Sequence, residues 1–242
     1  MAGIDGGFEI EAKAKHPLDM IWNFISTSMV GFRSRYFLEG CEAEEDISDL
    51  LSDEFAERRK DVNMFFITPQ RREKIGSKFK PDFTVKLCSD ISFTLDGVEY
   101  IGRQSIVKIE AKRLDSSLGV HREKEYVLGN GSKKGMTLGG IERYKIESHG
   151  ADVLHGVMIG YLQSDDFQFW EEKINNIIVS QKDKPSNPDL AWDETDKLIK
   201  LKQEEFIHTF SSSNSRKTKA PIEFRHFWVD LRVQKPTGTT AI

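Results

Sequence analysis

The stretch SIVKIEAKRL, from Ser105 to Leu114, constrains this chain more than any other. Its apolar, β-branched content reads as a strand inside a sheet, yet it carries Lys108, Glu110 and Lys112 at alternate positions. Successive strand residues face opposite sides, so Ile109 and Ala111 share one face and the three charged residues share the other. A second strand-like run, DFTVKL (82–87), begins with Asp82 directly after Pro81. A buried carboxylate is costly unless it is paired or binds a cation. Asp82, at the head of a neighbouring strand, could bring a second carboxylate to the same place as Glu110.

The rest of the chain supplies an α/β frame. Apolar residues at Ile21, Phe24, Ile25, Met29 and Phe32 have helical spacing, although Gly31 weakens the second half. Residues 42–60 form a second amphipathic helix, with Ile47, Leu50, Leu51 and Phe55 on one face, acids early and bases late. Strands are expected at 62–69, 82–87, 91–102 and 105–112, the third folding at Asp96-Gly97 as a hairpin. Residues 113–140 read as a polar, Gly-rich loop with a helical piece near REKEYVL. A helix over GGIERYKIES, a buried strand at 156–162 and a helix over 165–180 come next. TDKLIKLKQEEFIHTF (195–210) reads as helical, and EFRHFWVDLRV as a last strand. The expectation is one domain over 1–242: a central mixed β-sheet with helices on both faces, whose core spans about 42–163 and is followed by a helix–loop–strand extension.

Two carboxylates beside a backbone carbonyl suit a hard, oxygen-seeking cation, Mg²⁺ or Mn²⁺. Such an ion polarises a phosphate and offsets charge on a leaving oxygen, and a neighbouring lysine can orient the attacking water or help deprotonate it. A structural salt bridge, Glu110–Lys112 or Asp82–Lys112, is the competing account of the same residues.

Pro81-Asp82, followed 28 residues later by Glu110-Ala111-Lys112, resembles the PD-(D/E)xK nuclease superfamily over about residues 42–163. In that family an acid-bearing early helix, the PD strand, a hairpin strand, the ExK strand, a helix and a further strand follow in this order, and each has a counterpart here. The resemblance implies a restriction-endonuclease-like core and a Mg²⁺-dependent endonuclease hydrolysing DNA to 5′-phosphate ends, of the restriction or antiviral-defence kind found in prokaryotes. Asp82, Glu110 and the Ala111 carbonyl would hold the metal, with Mn²⁺ able to substitute, and Lys112 would position water. Glu44, three residues before Ile47 and seven before Leu51, would be the helix acid that supports the site or a second metal. Glu45 lies one step round the helix, and Glu54 lies on the core face a turn or more later. In the helix after the ExK strand, Glu142 and Arg143 are the polar candidates. A partner protein or a homo-oligomer would help choose the target. A silent nucleic-acid- or partner-binding member of the fold, and an RNA-directed nuclease, are the alternatives.

Charge gives a path for DNA. The chain is net −4, yet residues 71–90 and 112–134 each hold six Lys/Arg against three Asp/Glu, while 42–61 hold nine acids against three bases. Local potential governs phosphate contacts, and SRKTK (215–219) could add another. The six histidines lack metal-set spacing, and His226 reads as structural or supporting. Trp170 and Trp228 fit packing. No P-loop is present. Cys41 and Cys88 stand far apart without metal spacing, which suits a reducing cytoplasm. No apolar run reaches membrane-spanning length and the first 13 residues lack a secretion signal, so no membrane association is expected.

Overall fold

Pro17 sits in the first turn of helix α1 (Pro17–Glu39), where its missing N–H costs nothing. Gly40 ends that helix at φ 70°, a left-handed cap that glycine adopts freely. This computed structural model describes residues 16–40, 43–69, 81–129 and 139–232. After α1 come α2 (Glu44–Arg58), β1 (Phe65–Pro69), β2 (Phe83–Leu87), the hairpin β3 (Ser92–Leu95) and β4 (Val98–Ile101), and β5 (Ser105–Leu114). One-turn α3 (Val120–Glu123), short α4 (Gly140–Lys145), β6 (His155–Leu162) and α5 (Phe167–Asp183) precede β7 (Ile199–Gln203), β8 (Ile207–Asn214) and β9 (Ile222–Asp230).

The protein is a mixed α/β fold around a seven-stranded sheet of order β1-β2-β5-β6-β9-β8-β7. β2 pairs antiparallel with both β1 and β5, β6 joins β5 in parallel, and β9 joins β6 in parallel. β8 and β7 complete the sheet in antiparallel pairing. Strand alternation sorts the interior into two layers. Val107, Ile109, Ala111, Val157, Ile159, Tyr161 and Phe227 meet α1 and α2 on one face. Leu114, Met158, Leu162, Phe224 and Trp228 meet α4 and α5 on the other. β6 is buried along its whole length, as a central strand covered on both faces must be.

Three sequence expectations change. Residues 195–210 are not a helix: they contain β7 and the start of β8. The hairpin at 91–102 forms, with Asp96 and Gly97 both at positive φ (49° and 75°), but it makes its own two-stranded sheet. The extension after residue 163 supplies three strands, not one, and β9, β8 and β7 continue the central sheet next to β6. Gly31 does not interrupt α1. A Cβ there would collide with the carboxylate of buried Glu54, which binds Arg35 at 3.2 Å and Arg58.

β7 is the outer strand beside β8, and all five of its residues are exposed. The pairing jumps from Lys200↔Phe210 to Lys202↔Thr209, so Leu201 bulges out of the ladder. No helix among the described residues is long and apolar enough to cross a membrane.

Candidate functional site

The site forms where β2 leaves β5. Their pairing runs from Lys86 to Phe83, opposite Ile109. Beyond that point β5 continues to Leu114 without β2 beside it. The next backbone donor that needs a partner is Ala111 N–H, and it donates to Asp82 Oδ2 at 2.8 Å. Asp82 thus completes the ladder with its side chain, one residue before its strand begins. The Ala111 carbonyl accepts from Lys112 Nζ at 2.8 Å. Both peptide groups of Ala111 therefore engage side chains that the sequence singles out.

Lys112 gathers the rest. Its ammonium lies 2.9 Å from Glu110 Oε1 and donates to Glu44 Oε1 at 3.2 Å. Glu44 reaches it from the first turn of α2 and keeps part of its surface in solvent. It also meets Arg122 of α3 at 3.5 Å, and Arg122 in turn pairs with Glu125 at 3.0 Å. Glu110 is 1% exposed. Besides Lys112, its Oε1 accepts from Arg143 Nη1 of α4 at 2.7 Å. No hydrogen bond among the described residues reaches Oε2, although His149 Nδ1 lies 3.5 Å away.

The structure thus brings Asp82, Glu110, Lys112, Glu44 and the Ala111 carbonyl to one place and adds Arg143 from α4. Glu142, the neighbouring candidate, faces away and accepts from Gly129 N at 2.8 Å. Glu45 is exposed at the surface of α2. His149 joins the site without any signal in the sequence: it is a lone histidine in a turn, and only the return of the chain from α4 to β6 puts it beside Glu110. His226 stays apart, buried between Tyr126 (2.8 Å) and Ser212 (2.9 Å) and pushed down to about 3 by burial. Trp170 and Trp228 are fully buried packing residues. Arg216 and Lys217 of the basic 215–219 run bind Gly150 O, Val153 O and Asp189, inside the protein's own structure. Residues 71–80 and Lys133 and Lys134 lie outside the described residues.

The local fields separate the two acids. Burial pushes Asp82 up to about 7, with the Glu110 charge adding to it against Lys112 and the Ala111 N–H. Burial works on Glu110 too, but Lys112, His149 and Arg143 overcome it and hold that carboxyl well below the ordinary range. Burial pulls the Lys112 ammonium down, yet Glu110, Glu44 and Asp82 outweigh it and hold it above its ordinary value. Its ammonium is placed to orient a water or an oxygen by donating to it.

Among the described residues no three His, Cys, Asp or Glu side chains form a metal set. The donors on hand suit a hard ion: among the described residues no hydrogen bond reaches one carboxylate oxygen of Glu110, the Ala111 carbonyl lies beside it, and Asp82 is a carboxyl whose ionisation a nearby cation would favour. Compared with family models, with curated proteins and with solved structures, the chain matches none.

Proposed function

We propose that the protein is a metal-dependent endonuclease that hydrolyses DNA phosphodiester bonds, with a restriction-endonuclease-like core. One observation carries the reading: Asp82, Glu110 and Lys112 meet around the two peptide groups of Ala111, at the point where β2 departs from β5. The succession of α2, β2, the β3–β4 hairpin, β5, α4 and β6 supports it by following the order of elements that the PD-(D/E)xK resemblance implies. Biological roles in restriction or antiviral defence, and a partner or second copy for target choice, come from that resemblance alone.

Asp82, Glu110 and the Ala111 carbonyl would hold Mg²⁺ or Mn²⁺, with Glu44 supporting, and the ion would supply Lewis-acid stabilisation of charge on phosphate oxygens. The chain's own residues divide the remaining work. Lys112, held charged, donates to the attacking water or to a phosphate oxygen. Glu44 fixes the Lys112 ammonium from the opposite side. Arg143 and His149 fix Glu110. Water adds to phosphorus in line, the P–O3′ bond breaks, and the 3′ oxygen takes a proton, leaving a 5′-phosphate and a 3′-hydroxyl.

A second reading has its own support. Lys112, Glu44, Glu110 and Arg143 already form a closed ion-pair cluster, which could serve as architecture in a nucleic-acid-binding or partner-binding protein. Plasmid, linear duplex, single-stranded DNA and RNA incubated with Mg²⁺ or Mn²⁺, each alongside Lys112→Ala, separate the two. Cleavage by wild type that Lys112→Ala abolishes supports the nuclease. Cleavage of RNA alone moves the substrate to RNA. Binding without cleavage under every condition supports the second reading.

A further inference from the structure

Glu147 has an unusual backbone. It follows α4 at φ 62°, in the left-handed region. There it lets Ser148 N–H and His149 N–H return to the Arg143 carbonyl at 3.0 and 3.2 Å. Glycine is the favoured residue at such a helix exit, and any side chain with a Cβ is disfavoured there. The side chain accounts for the choice. The Glu147 carboxylate accepts from Thr218 Oγ1 at 2.6 Å, from Lys219 N–H at 2.8 Å and from Thr218 N–H. All three donors lie in the loop between β8 and β9.

The same loop grips the turn twice more. Arg216 Nη1 donates to the carbonyls of Gly150 and Val153 at 2.9 and 3.0 Å. Lys217 N–H donates to the Lys145 carbonyl at 2.9 Å. These bonds hold the turn from Lys145 to Val153, and that turn presents His149 at 3.5 Å from Glu110 and closes the helix that presents Arg143 at 2.7 Å from it.

We propose that the β8–β9 loop is a brace for the reactive carboxylate: through Glu147 and Arg216 it fixes the α4–β6 turn, and thereby Arg143 and His149 against Glu110. This inference rests on the nuclease reading for its consequence in catalysis, but not for its geometry. Glu147 and Arg216 are positioning residues. They touch no part of the site and act through the backbone that carries it. A displacement of the order of an ångström in such a shell can cost about 100-fold in rate, and a partial loosening costs less.

Glu147→Gly tests the brace, because glycine relieves the left-handed backbone while deleting the carboxylate. The expected result is a fall of about tenfold in kcat with KM for DNA unchanged, since substrate contacts remain in place, and a thermal midpoint no lower than wild type. Thr218→Val, which removes one hydroxyl, should lower kcat by a smaller factor, and Thr218→Ser should restore it. A second readout needs no cleavage. In metal-free protein the ring signals of His149 and the Nε–H signal of Arg143 should move in Glu147→Gly, while the Trp170 indole stays still. Unmoved His149 and Arg143 signals overturn the brace, whatever the activity. Glu147→Gly cleaving at the wild-type rate does so as well. A wild type that cleaves nothing refutes the nuclease reading, and the His149 and Arg143 signals then decide the brace alone.

Discussion

Asp82→Asn should make the metal-free protein more stable at pH 8. The substitution keeps a carbonyl oxygen to accept from Ala111 N–H but removes the charge. In the folded chain burial and Glu110 raise the Asp82 carboxyl from 3.8 to about 7. At about 1.36 kcal/mol per pH unit, ionising it in place costs up to about 4 kcal/mol more than in the unfolded chain. That figure is an upper bound, because Asp82 keeps some contact with solvent that screens its neighbours. The sign follows from the direction: a carboxyl raised by folding carries no penalty below pH 3.8, a growing one as pH rises, and the full one above about 7. The stabilisation by Asp82→Asn should accordingly be near zero at pH 4 and reach about 2–4 kcal/mol at pH 8. Urea unfolding in EDTA at several pH values measures it. Mg²⁺ at 100 times its Kd should then stabilise wild type by about 2.7 kcal/mol and leave Asp82→Asn unchanged. An Asp82→Asn protein that is less stable than wild type at pH 8, or a difference that does not vary with pH, would refute the reasoning.

Lys112→Ala should abolish cleavage by orders of magnitude while metal still binds by calorimetry, because Asp82 and Glu110 remain. Lys145→Ala should destabilise by about 3–5 kcal/mol in urea melts, since Lys145 and Asp196 form a fully buried ion pair that leaves an uncompensated charge when broken. Replacing Arg71, Arg72, Lys133 and Lys134 together should weaken DNA binding across all sequences and flatten its dependence on salt, read by fluorescence anisotropy.

The residues of the site were legible because alternation exposes a charged strand face. Lys108, Glu110 and Lys112 recur with period two, and the structure puts them on one face of β5. The resemblance implies an acid on the early helix, and the spacing of Glu44 to Ile47 and Leu51, both buried, marks it out among the acids there. Arg143 was named only as one of two candidates, and the register of a six-residue helix decides between it and Glu142. His149 carried no pattern, since its position depends on a turn held by a loop some 70 residues later in the chain. The strand character of 195–210 is hidden for a similar reason. β8 is buried at Ile207, His208, Thr209 and Phe210 in succession, so it lacks alternation, and Leu198, Leu201 and Phe206 happen to fall at helical intervals. The insertion of β9 beside β6 was equally hidden, because parallel partners distant in sequence leave no local trace.

The outer strand β7 bears on how this protein behaves when crowded. Among the described residues no strand pairs with its outer edge, and an open strand edge is a template on which another copy can build. Two copies of IKLKQ laid antiparallel about Leu201 would set Lys200 of one against Lys202 of the other on either side of Leu201, where like charges directly opposite repel to the extent that the pairs of Lys200 with Glu171 and Lys202 with Glu204 do not offset them. Leu201, displaced from the ladder, also spoils the straight row of donors and acceptors that such a contact needs. The exposed Ile199 and Leu201 thus sit in a strand whose geometry and charge discourage growth into fibres, and replacing both lysines with threonine would leave the bulge as its protection.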